Sequence, residues 1–236
     1  MLAAYEFVHF LSIRIGLPWS WRRWEARIVS ETLKWLDWAR EIQALAHTSL
    51  HYAQNPFEVS RSQRLLEIAS EIVAANSEME AQEVLVAFTA QPGYITPKVD
   101  VRAAVFRDGE LLLVREAMDG RWTLPGGWAD VGETPSLAVE REVQEETGLT
   151  VQANRIVGVY DANRLPGELP LYHAYKLLFL CEPGDGDLRP SEETSEVAFF
   201  PIEELPSPLS SFRTAPRHIQ DAIAASNDPD VSVVFD

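Results

Sequence analysis

The chain has 236 residues, 46% hydrophobic and 24% charged, a composition that can bury the core of one large domain or two small ones. Its 36 acidic residues outnumber 20 Lys and Arg residues and leave a formal net charge of -16, which disfavours a protein that coats nucleic acid. The single cysteine, Cys181, excludes an internal disulfide and a cysteine-based zinc site, and we expect it to be a core residue.

Residues 1–30 are apolar but lack the features of an export signal. No basic segment precedes the apolar run, Glu6 lies inside it, and Arg14 interrupts it. We expect an extension that is poorly ordered or whose tryptophans pack on the rest of the protein, rather than a membrane-surface anchor. No other stretch reaches the ~20 apolar residues that span a bilayer, so the sequence predicts a cytoplasmic protein without membrane contact.

Residues 31–92 are expected to form a small all-α domain. Apolar residues recur at the helical period over Glu31–Leu50 and over Arg64–Ala75, and Met79–Phe88 is a third candidate helix. A turn at Gln91–Tyr94, which contains a proline and a glycine, ends this domain. Basic and acidic residues are mixed along the first helix, so it offers no basic face for binding nucleic acid.

Two tryptophans of the first helix, Trp35 and Trp38, lie on its apolar stripe. A three-helix unit of about sixty residues cannot easily bury both of them by itself. We therefore expect a homodimer formed through these helices, and the alternative is burial against the second domain of the same chain.

Residues 97–226 show a mixed pattern of strands and helices, which indicates an α/β domain. Val99–Val105 and Leu111–Val114 are apolar runs on either side of an Arg-Asp-Gly-Glu turn, and this arrangement predicts a hairpin. The remaining predicted elements are strands at Ile156–Tyr160, Tyr172–Leu180 and Val197–Phe200, a last helix at Pro216–Ala225, and a tail at 227–236.

Between these strands the sequence predicts a helix over Pro135–Thr147. Thr134 is a good N-cap, a proline suits the first helical position, and Gly148 is a natural left-handed terminator. At 100° per residue, the side chains of Glu142, Glu145 and Glu146 fall on one arc, while Glu140 points to the far side.

Three carboxylates on one helix face need compensation. The like-charge pair of Glu142 and Glu146 destabilises a helix by ~0.2–0.5 kcal/mol. Arg141 is well placed for Glu145, and a hard divalent cation such as Mg²⁺ would supply the remaining positive charge. The alternative, which we would favour for this acidic run taken alone, is a solvated helix face.

The spacing of the residues around this helix reverses that preference. Gly127 is followed after five residues by Glu133, after seven more by Arg141-Glu142-Val143, and then by Glu145-Glu146 and Gly148-Leu149. This pattern resembles the signature of the Nudix hydrolases at each fixed position. The resemblance implies an α/β/α sandwich with a mixed sheet, and hydrolysis of a nucleoside diphosphate linked to another group X.

The resemblance also implies roles for individual residues. It makes Glu142, Glu145 and Glu146 the metal ligands, Arg141 the residue that orients them, and Glu133 a structural carboxylate beside them. Mg²⁺ is the expected cofactor, with Mn²⁺ as a substitute, and water attacks phosphorus without a covalent nucleophile. For the general base, the candidates on a downstream loop are Glu192, Glu193 and Glu196, each of which also fits an ordinary loop acid.

Residues 34–74 and 91–106 resemble the helical domain, and the start of the domain after it, in a bacterial Nudix subfamily that includes CDP-choline pyrophosphatases. This resemblance implies a CDP-choline-like or ADP-ribose-like substrate. The alternative function is a non-catalytic, nucleotide-sensing regulator. Such a regulator tends to lose Arg141, Glu145 or Glu146, and this sequence keeps all three.

Candidate substrate contacts are the aromatic and basic residues near the predicted site. For nucleobase stacking, the candidates are Trp128, Tyr160, Tyr172 and His173. For substrate phosphates, they are Arg115 and Arg164. The alternatives are core packing for the aromatic residues and surface ion pairs for the two arginines.

Overall fold

The computed structural model describes residues 34–91, 93–164, 171–210 and 213–236. The chain forms two compact units, which divide between Ile95 and Thr96. The expected extension at residues 1–30 lies outside the described residues. Within the described ranges, no helix is long and apolar enough to cross a membrane.

In the part of the first unit that the structure describes, the helices are α1 (Lys34–Tyr52), α2 (Pro56–Ala74) and α3 (Ala81–Thr89). Helix α2 begins before the predicted start at Arg64, because Asn55 accepts the backbone N–H of Glu58 and a proline follows at the first helical position. The ring nitrogen Nε2 of His47 lies 3.0 Å from the carbonyl oxygen of Phe88, which ties α1 to the end of α3.

The second unit is built on a seven-stranded sheet. Its strands are β1 (Lys98–Arg107), β2 (Glu110–Glu116), β3 (Trp122–Thr123), β4 (Val151–Asp161), β5 (Ala174–Pro183), β6 (Thr194–Pro201) and β7 (Val234–Phe235). The strand order is β3-β2-β1-β5-β4-β7, and β6 also pairs with β2. Strand β1 is parallel to β5 and β4 to β7, whereas the other pairs are antiparallel, so the sheet is mixed.

The hairpin of β1 and β2 separates soon after its turn. Asp108 and Gly109 both have positive φ, 53° and 83°, as a tight two-residue hairpin turn requires. Strands β1 and β2 are paired with each other only beside the turn. Farther along, β1 is hydrogen-bonded to the segment 124–129 instead of to β2. There the N–H of Val101 donates to the carbonyl of Gly127 at 2.8 Å. This separation leaves a space between the two strands.

Helices α4 (Pro135–Thr147) and α5 (Pro216–Asn227) complete the unit. Each helix packs on its own apolar cluster. The α4 cluster includes Val101, Ala103, Ala138, Val139, Val143 and Cys181, and the α5 cluster includes Leu113, Trp122, Tyr160, Leu178, Ile219 and Ala222. Two helices on a mixed sheet confirm the predicted α/β fold, and the burial of Cys181 agrees with a core role.

Two short strands were not predicted, because two residues are too few to show a period. Strand β3 is one of them, and β7 is the other. Strand β7 lies inside the residues expected to be a tail, 227–236, and this stretch is part of the second unit. The backbone N–H of Asp161 donates to the carboxylate of Asp236 at 2.9 Å, which fixes the stretch to β4.

Candidate active site

Helix α4 begins and ends as its sequence predicts. The hydroxyl oxygen of Thr134 accepts the backbone N–H of Leu137 at 3.3 Å, and Gly148 ends the helix in the left-handed conformation with φ 76°. A Cβ atom at Gly148 would lie 2.7 Å from the carbonyl oxygen of Asp187. Glycine is therefore required there both by the backbone conformation and by the close approach of a neighbouring loop.

Arg141 connects the acidic helix to the loop before it. Its Nε and Nη2 atoms donate to the two carboxylate oxygens of Glu133 at 2.7 and 2.9 Å, while Nη1 donates to Glu142 at 3.0 Å and to Glu145 at 2.9 Å. The carbonyl of Trp128 accepts a further hydrogen bond from Nη2 at 3.4 Å. The guanidinium holds the pKa of Glu133 below its usual value. Arg141 thus orients two glutamates of the helix and fixes Glu133.

Glu146 is buried, with 5% of its surface exposed. Its carboxylate accepts the backbone N–H of Gly126 at 2.9 Å. Burial raises the pKa of Glu146 to about 7, although the charge of Arg102 acts in the opposite direction. Burial also raises the pKa of Glu142, which faces Gly127 so closely that a Cβ atom there would lie 2.9 Å from the carboxylate. Glu142 shares the single charge of Arg141 with other carboxylates, and among the described residues no ion pair reaches Glu146.

These glutamates line a cleft of about 620 Å³ where β1 and β2 diverge. The lining residues that lie outside α4 are Arg102, Glu116, Ala117, Met118, Gly126, Gly127, Trp128, Asp130, Glu192, Glu193 and Arg213. With the four α4 residues Arg141, Glu142, Glu145 and Glu146, seven carboxylates and three arginines face this space. An excess of negative charge of this size is unfavourable unless cations are bound.

Four charged residues of the cleft were missed by the sequence analysis, Arg102, Glu116, Asp130 and Arg213. Arg102 lies on β1, Glu116 at the end of β2, and Arg213 before α5. Arg213 is paired with Glu116 at 3.3 Å and with Asp119 at 3.1 Å, yet burial still raises the pKa of Glu116. Of the four, Arg102 was the easiest to predict, because a charged residue inside an apolar strand is unusual.

Some of the predicted substrate and base candidates meet in the cleft. Trp128 lines it with 49% of its surface exposed, and Glu192 and Glu193 lie on its edge. Glu196 does not line it, because its carboxylate pairs with Arg115 across the β2–β6 ladder at 2.5 Å. The structure therefore places Arg115 and Glu196 in an ion pair beside the cleft.

The other candidates lie away from the lining residues. Tyr160 is fully buried in the α5 cluster and donates its hydroxyl to Asp221 at 2.9 Å. Arg164 and His173 both contact Asp161, at 3.4 and 3.2 Å. The ammonium group of Lys98 lies over the ring of Tyr172, with its nitrogen 5.0 Å from the ring centre. Successive side chains of β4 point to opposite faces of the sheet, and Tyr160 points to the face that α5 covers. The sequence alone does not show which face that is, because the register of the strand is not known from it.

The donor atoms on α4 fit a divalent cation. Carboxylate oxygens are the preferred ligands of Mg²⁺ and Mn²⁺, and a cation here would offset the burial of Glu142 and Glu146. In the part of the chain that the structure describes, no three such groups already converge as a complete ligand set. Arg141 holds Glu142 and Glu145, and the N–H of Gly126 holds Glu146.

Comparison with known proteins agrees with this geometry. A family model described as the NUDIX domain matches residues 96–221, which include the cleft and helix α4. The chain belongs to the Nudix hydrolase family. Enzymes of this family act on nucleoside diphosphate derivatives and generally use a divalent metal ion. A second model, described as a UDP-X-like, N-terminal oligomerisation domain, matches residues 33–88 of this Nudix hydrolase.

Several relatives resemble this Nudix hydrolase over much of its length. The protein YjhB of Bacillus subtilis (strain 168), provisionally named an ADP-ribose pyrophosphatase, is 35% identical over 86% of this chain and 97% of its own. The crystal structure of a UDP-X diphosphatase matches 88% of this chain and 99% of its own, with 29% identity and a TM-score of 0.56. That of an ADP-ribose pyrophosphatase from Streptococcus suis matches 60% of this chain and 100% of its own, with 36% identity and a TM-score of 0.53.

Proposed function

We propose that this Nudix hydrolase is a Mg²⁺-dependent pyrophosphohydrolase. It cleaves a nucleoside diphosphate linked to X, with an ADP-ribose-like or CDP-choline-like substrate, into a nucleoside monophosphate and phosphorylated X. The observation that carries this proposal is the excess of carboxylates over arginines around the cleft, where Glu146 is buried and Glu142 partly buried. The relatives named for ADP-ribose and UDP-X hydrolysis support the same substrate class.

The residues of the cleft have different roles in this reaction. Glu142, Glu145 and Glu146 would hold Mg²⁺, or Mn²⁺ in its place. A bound cation would neutralise charge on the diphosphate and lower the pKa of a water molecule bound to it. Arg141 and Glu133 keep the α4 glutamates and the preceding loop in position. The exposed face of Trp128 suits stacking with a base.

Proton removal from the attacking water falls to a carboxylate at the cleft edge. Glu193 and Glu192 both line the cleft, whereas Glu196 is held by Arg115. Among the described lining residues there is no Ser, Cys or His that could act as a covalent nucleophile. Direct attack of water on one phosphorus is therefore the reaction that these residues support. A non-catalytic sensor is not favoured, because Arg141, Glu145 and Glu146 are all kept, with Arg141 donating to Glu145 and Glu146 accepting the N–H of Gly126.

A substrate panel with product identification tests this function. Purified protein with Mg²⁺ would be given ADP-ribose, a UDP-sugar, CDP-choline and a dinucleoside polyphosphate. We expect a monophosphate and a phosphorylated X, such as AMP and ribose 5-phosphate, and ¹⁸O from labelled water in one product phosphate from the first turnover onward. Unlabelled product in the first turnover would indicate a carboxylate nucleophile, and no hydrolysis of any compound would contradict the proposed function.

We also propose that the first unit forms a homodimer through helix α1. Trp38, Leu45 and Tyr52 are 51%, 62% and 70% exposed, and their spacing of seven residues places them on one side of the helix. An exposed apolar seam of this kind is typical of a contact between subunits. The match to an oligomerisation domain supports this assignment.

The oligomeric state of the full chain tests the homodimer. Leu45→Glu is expected to shift sedimentation from dimer to monomer, because it places a charge in the seam. Val131→Glu, at a fully exposed position of the second unit, is the matched control and should leave the dimer unchanged. A Leu45→Glu protein that sediments as wild type would exclude this seam.

A further inference from the structure

A buried group of three charges lies next to the cleft. Asp100 and Arg102 are two residues apart on β1, and Lys176 on β5 is the register partner of Asp100. The Nζ atom of Lys176 donates to Asp100 at 2.6 Å, and Nε of Arg102 donates to the same carboxylate at 2.8 Å. Their exposed fractions are 8% for Asp100, 5% for Arg102 and 0% for Lys176.

This group carries more positive than negative charge. One carboxylate is shared by two cations, which leaves a surplus of one positive charge in the interior. Although burial acts to raise it, the charges of Arg102 and Lys176 hold the pKa of Asp100 below its usual value. Burying an uncompensated charge costs several kcal/mol, so a surplus of this kind is expected where a ligand of opposite charge binds.

Arg102 is the member of the group that lines the cleft. It differs from the other two arginines there in how its charge is used. Arg141 is shared among four carboxylates, and Arg213 pairs with Glu116 and Asp119. The direct partner of Arg102 is Asp100, whose charge is already divided with Lys176. The electrostatic neighbours of Arg102 across the cleft are Glu146 and Glu116.

The guanidinium of Arg102 also has donors to spare. Nε and Nη2 donate to Asp100, and Nη1 donates to the carbonyl of Leu124 at 3.2 Å. One N–H on each terminal nitrogen therefore has no partner among the described residues. Two such groups in one plane match two oxygens of a phosphoryl group.

The loop between Arg102 and Glu146 fixes the two residues relative to each other. Gly126 donates its N–H to Glu146, and a Cβ atom at Gly126 would lie 2.9 Å from the Cα of Arg102. Gly126 therefore lies against the backbone of Arg102 and also contacts the carboxylate of Glu146. Because Arg102 and the α4 carboxylates line the same cleft, a diphosphate bound there would have a cation of β1 facing it.

We propose that Arg102 binds phosphate oxygens of the substrate's diphosphate, and that Lys176 is a positioning residue that leaves the charge of Arg102 available by sharing Asp100. This assignment deepens the proposed function and rests on it for the identity of the ligand as a diphosphate. It adds a substrate contact on the strand side of the cleft.

The test measures binding of methylenediphosphonate, a non-hydrolysable diphosphate that lacks base and X, by calorimetry in the presence of Mg²⁺. Arg102→Met is expected to raise Kd about 10- to 100-fold, the range for loss of a charge-assisted hydrogen bond. Arg102→Lys keeps the charge but loses the planar pair of donors, so an increase of about tenfold is expected. Arg64→Met, at an exposed arginine of α2 in the first unit, is the matched control.

The role of Lys176 is tested by counting charges. Lys176→Met leaves the group neutral and should raise Kd about tenfold, whereas Asp100→Asn with Lys176→Met restores one surplus positive charge and should recover most of the binding. A merely structural role would lower Tm in these variants without changing Kd. Circular dichroism and Tm of each variant separate the two effects, and Arg102→Lys serves if Arg102→Met does not fold.

The assignment would be overturned if Arg102→Met and Arg102→Lys bind methylenediphosphonate as tightly as the wild type does. It would also be overturned if the wild type does not bind this compound. Unchanged Kd in Lys176→Met would overturn the role of Lys176. The proposed function fails separately: a wild type that binds methylenediphosphonate through Arg102 but hydrolyses no nucleoside diphosphate derivative would leave this site standing and remove the activity.

Discussion

Two groups of buried charges lie in the second unit, and they are balanced in different ways. In the group of Asp100, Arg102 and Lys176, direct ion pairs at 2.8 and 2.6 Å keep the carboxylate ionised. On helix α4, Glu146 accepts a backbone N–H, and no ion pair reaches it in the described part of the chain. Its pKa is raised to about 7 by burial. In the first group the carboxylate is fully compensated and one positive charge is left over, whereas in the second the carboxylates are compensated only when a cation binds.

The largest expected effect comes from removing the cation. Exhaustive chelation should abolish turnover, because both charge neutralisation of the diphosphate and activation of water depend on divalent metal. The fold should remain, since the core clusters of the second unit do not involve the α4 carboxylates. Turnover and circular dichroism before chelation, after it, and after Mg²⁺ is restored would measure both. Full activity in the chelated protein would contradict the cation-dependent role of α4.

The next effect concerns single carboxylates of the cleft. Glu146→Gln and Glu145→Gln should each lower kcat by at least ~100-fold, the scale of one electrostatic contact in a transition state. Glu140→Gln is the matched control on the same helix. Glu140 accepts the N–H of Ala153 at 2.9 Å outside the cleft, and glutamine can still accept it. Equal loss of kcat in Glu140→Gln and Glu146→Gln would show that the wrong helix face has been assigned.

Stability should separate the two groups most directly. Asp100→Asn leaves two buried cations without their carboxylate and should lower the free energy of unfolding by roughly 3–5 kcal/mol. Glu146→Gln removes an unpaired buried charge and should leave the metal-free protein as stable as wild type or more stable. Urea unfolding in chelator would measure both, with Glu203→Gln at an exposed position as control. Comparable destabilisation by the two substitutions would contradict the claim that the two groups of buried charges are balanced in different ways.

The smallest effect is a pH dependence of the metal-free protein. The folded state holds the proton of Glu146 more tightly than the unfolded state, because burial raises its pKa from 4.5 to about 7. The stability that Glu146 contributes should therefore be lost as pH rises through this interval, whereas buried His218, whose pKa is lowered to about 3, contributes in the opposite direction. Urea midpoints measured in pairs should show the wild type losing stability relative to Glu146→Gln as pH rises. A difference between wild type and Glu146→Gln that does not change with pH would contradict this role of Glu146.

The sequence predicts what depends on local chemistry. The caps and length of α4, and the side on which its glutamates lie, follow from Thr134, Gly148 and the helical period, and the structure places them accordingly. The turn at Asp108 and Gly109 is local in the same sense. The Nudix signature covers this region, so family and fold could be predicted together from it.

Features that depend on strand pairing could not be predicted in this way. The cleft exists because β1 and β2 diverge, and it collects Arg102, Glu116 and Arg213 from positions far apart in sequence. Tyr160 lies in the α5 cluster because of the register of β4 with its neighbours, which periodicity alone leaves open. The pairing of Arg115 with Glu196 across β2 and β6 has the same origin.

The short strand β7 covers a strand edge that could otherwise promote aggregation. Strand β4 has β5 on one side, and β7 lies along Gly158 and Val159 on the other. An open strand edge offers free N–H and C=O groups to another chain and favours aggregation. Asp236 adds to the cover, because its backbone N–H donates to the carbonyl of Val159 and its carboxylate accepts the N–H of Asp161. Substitutions in these last residues are thus expected to change the tendency to aggregate before they change catalysis.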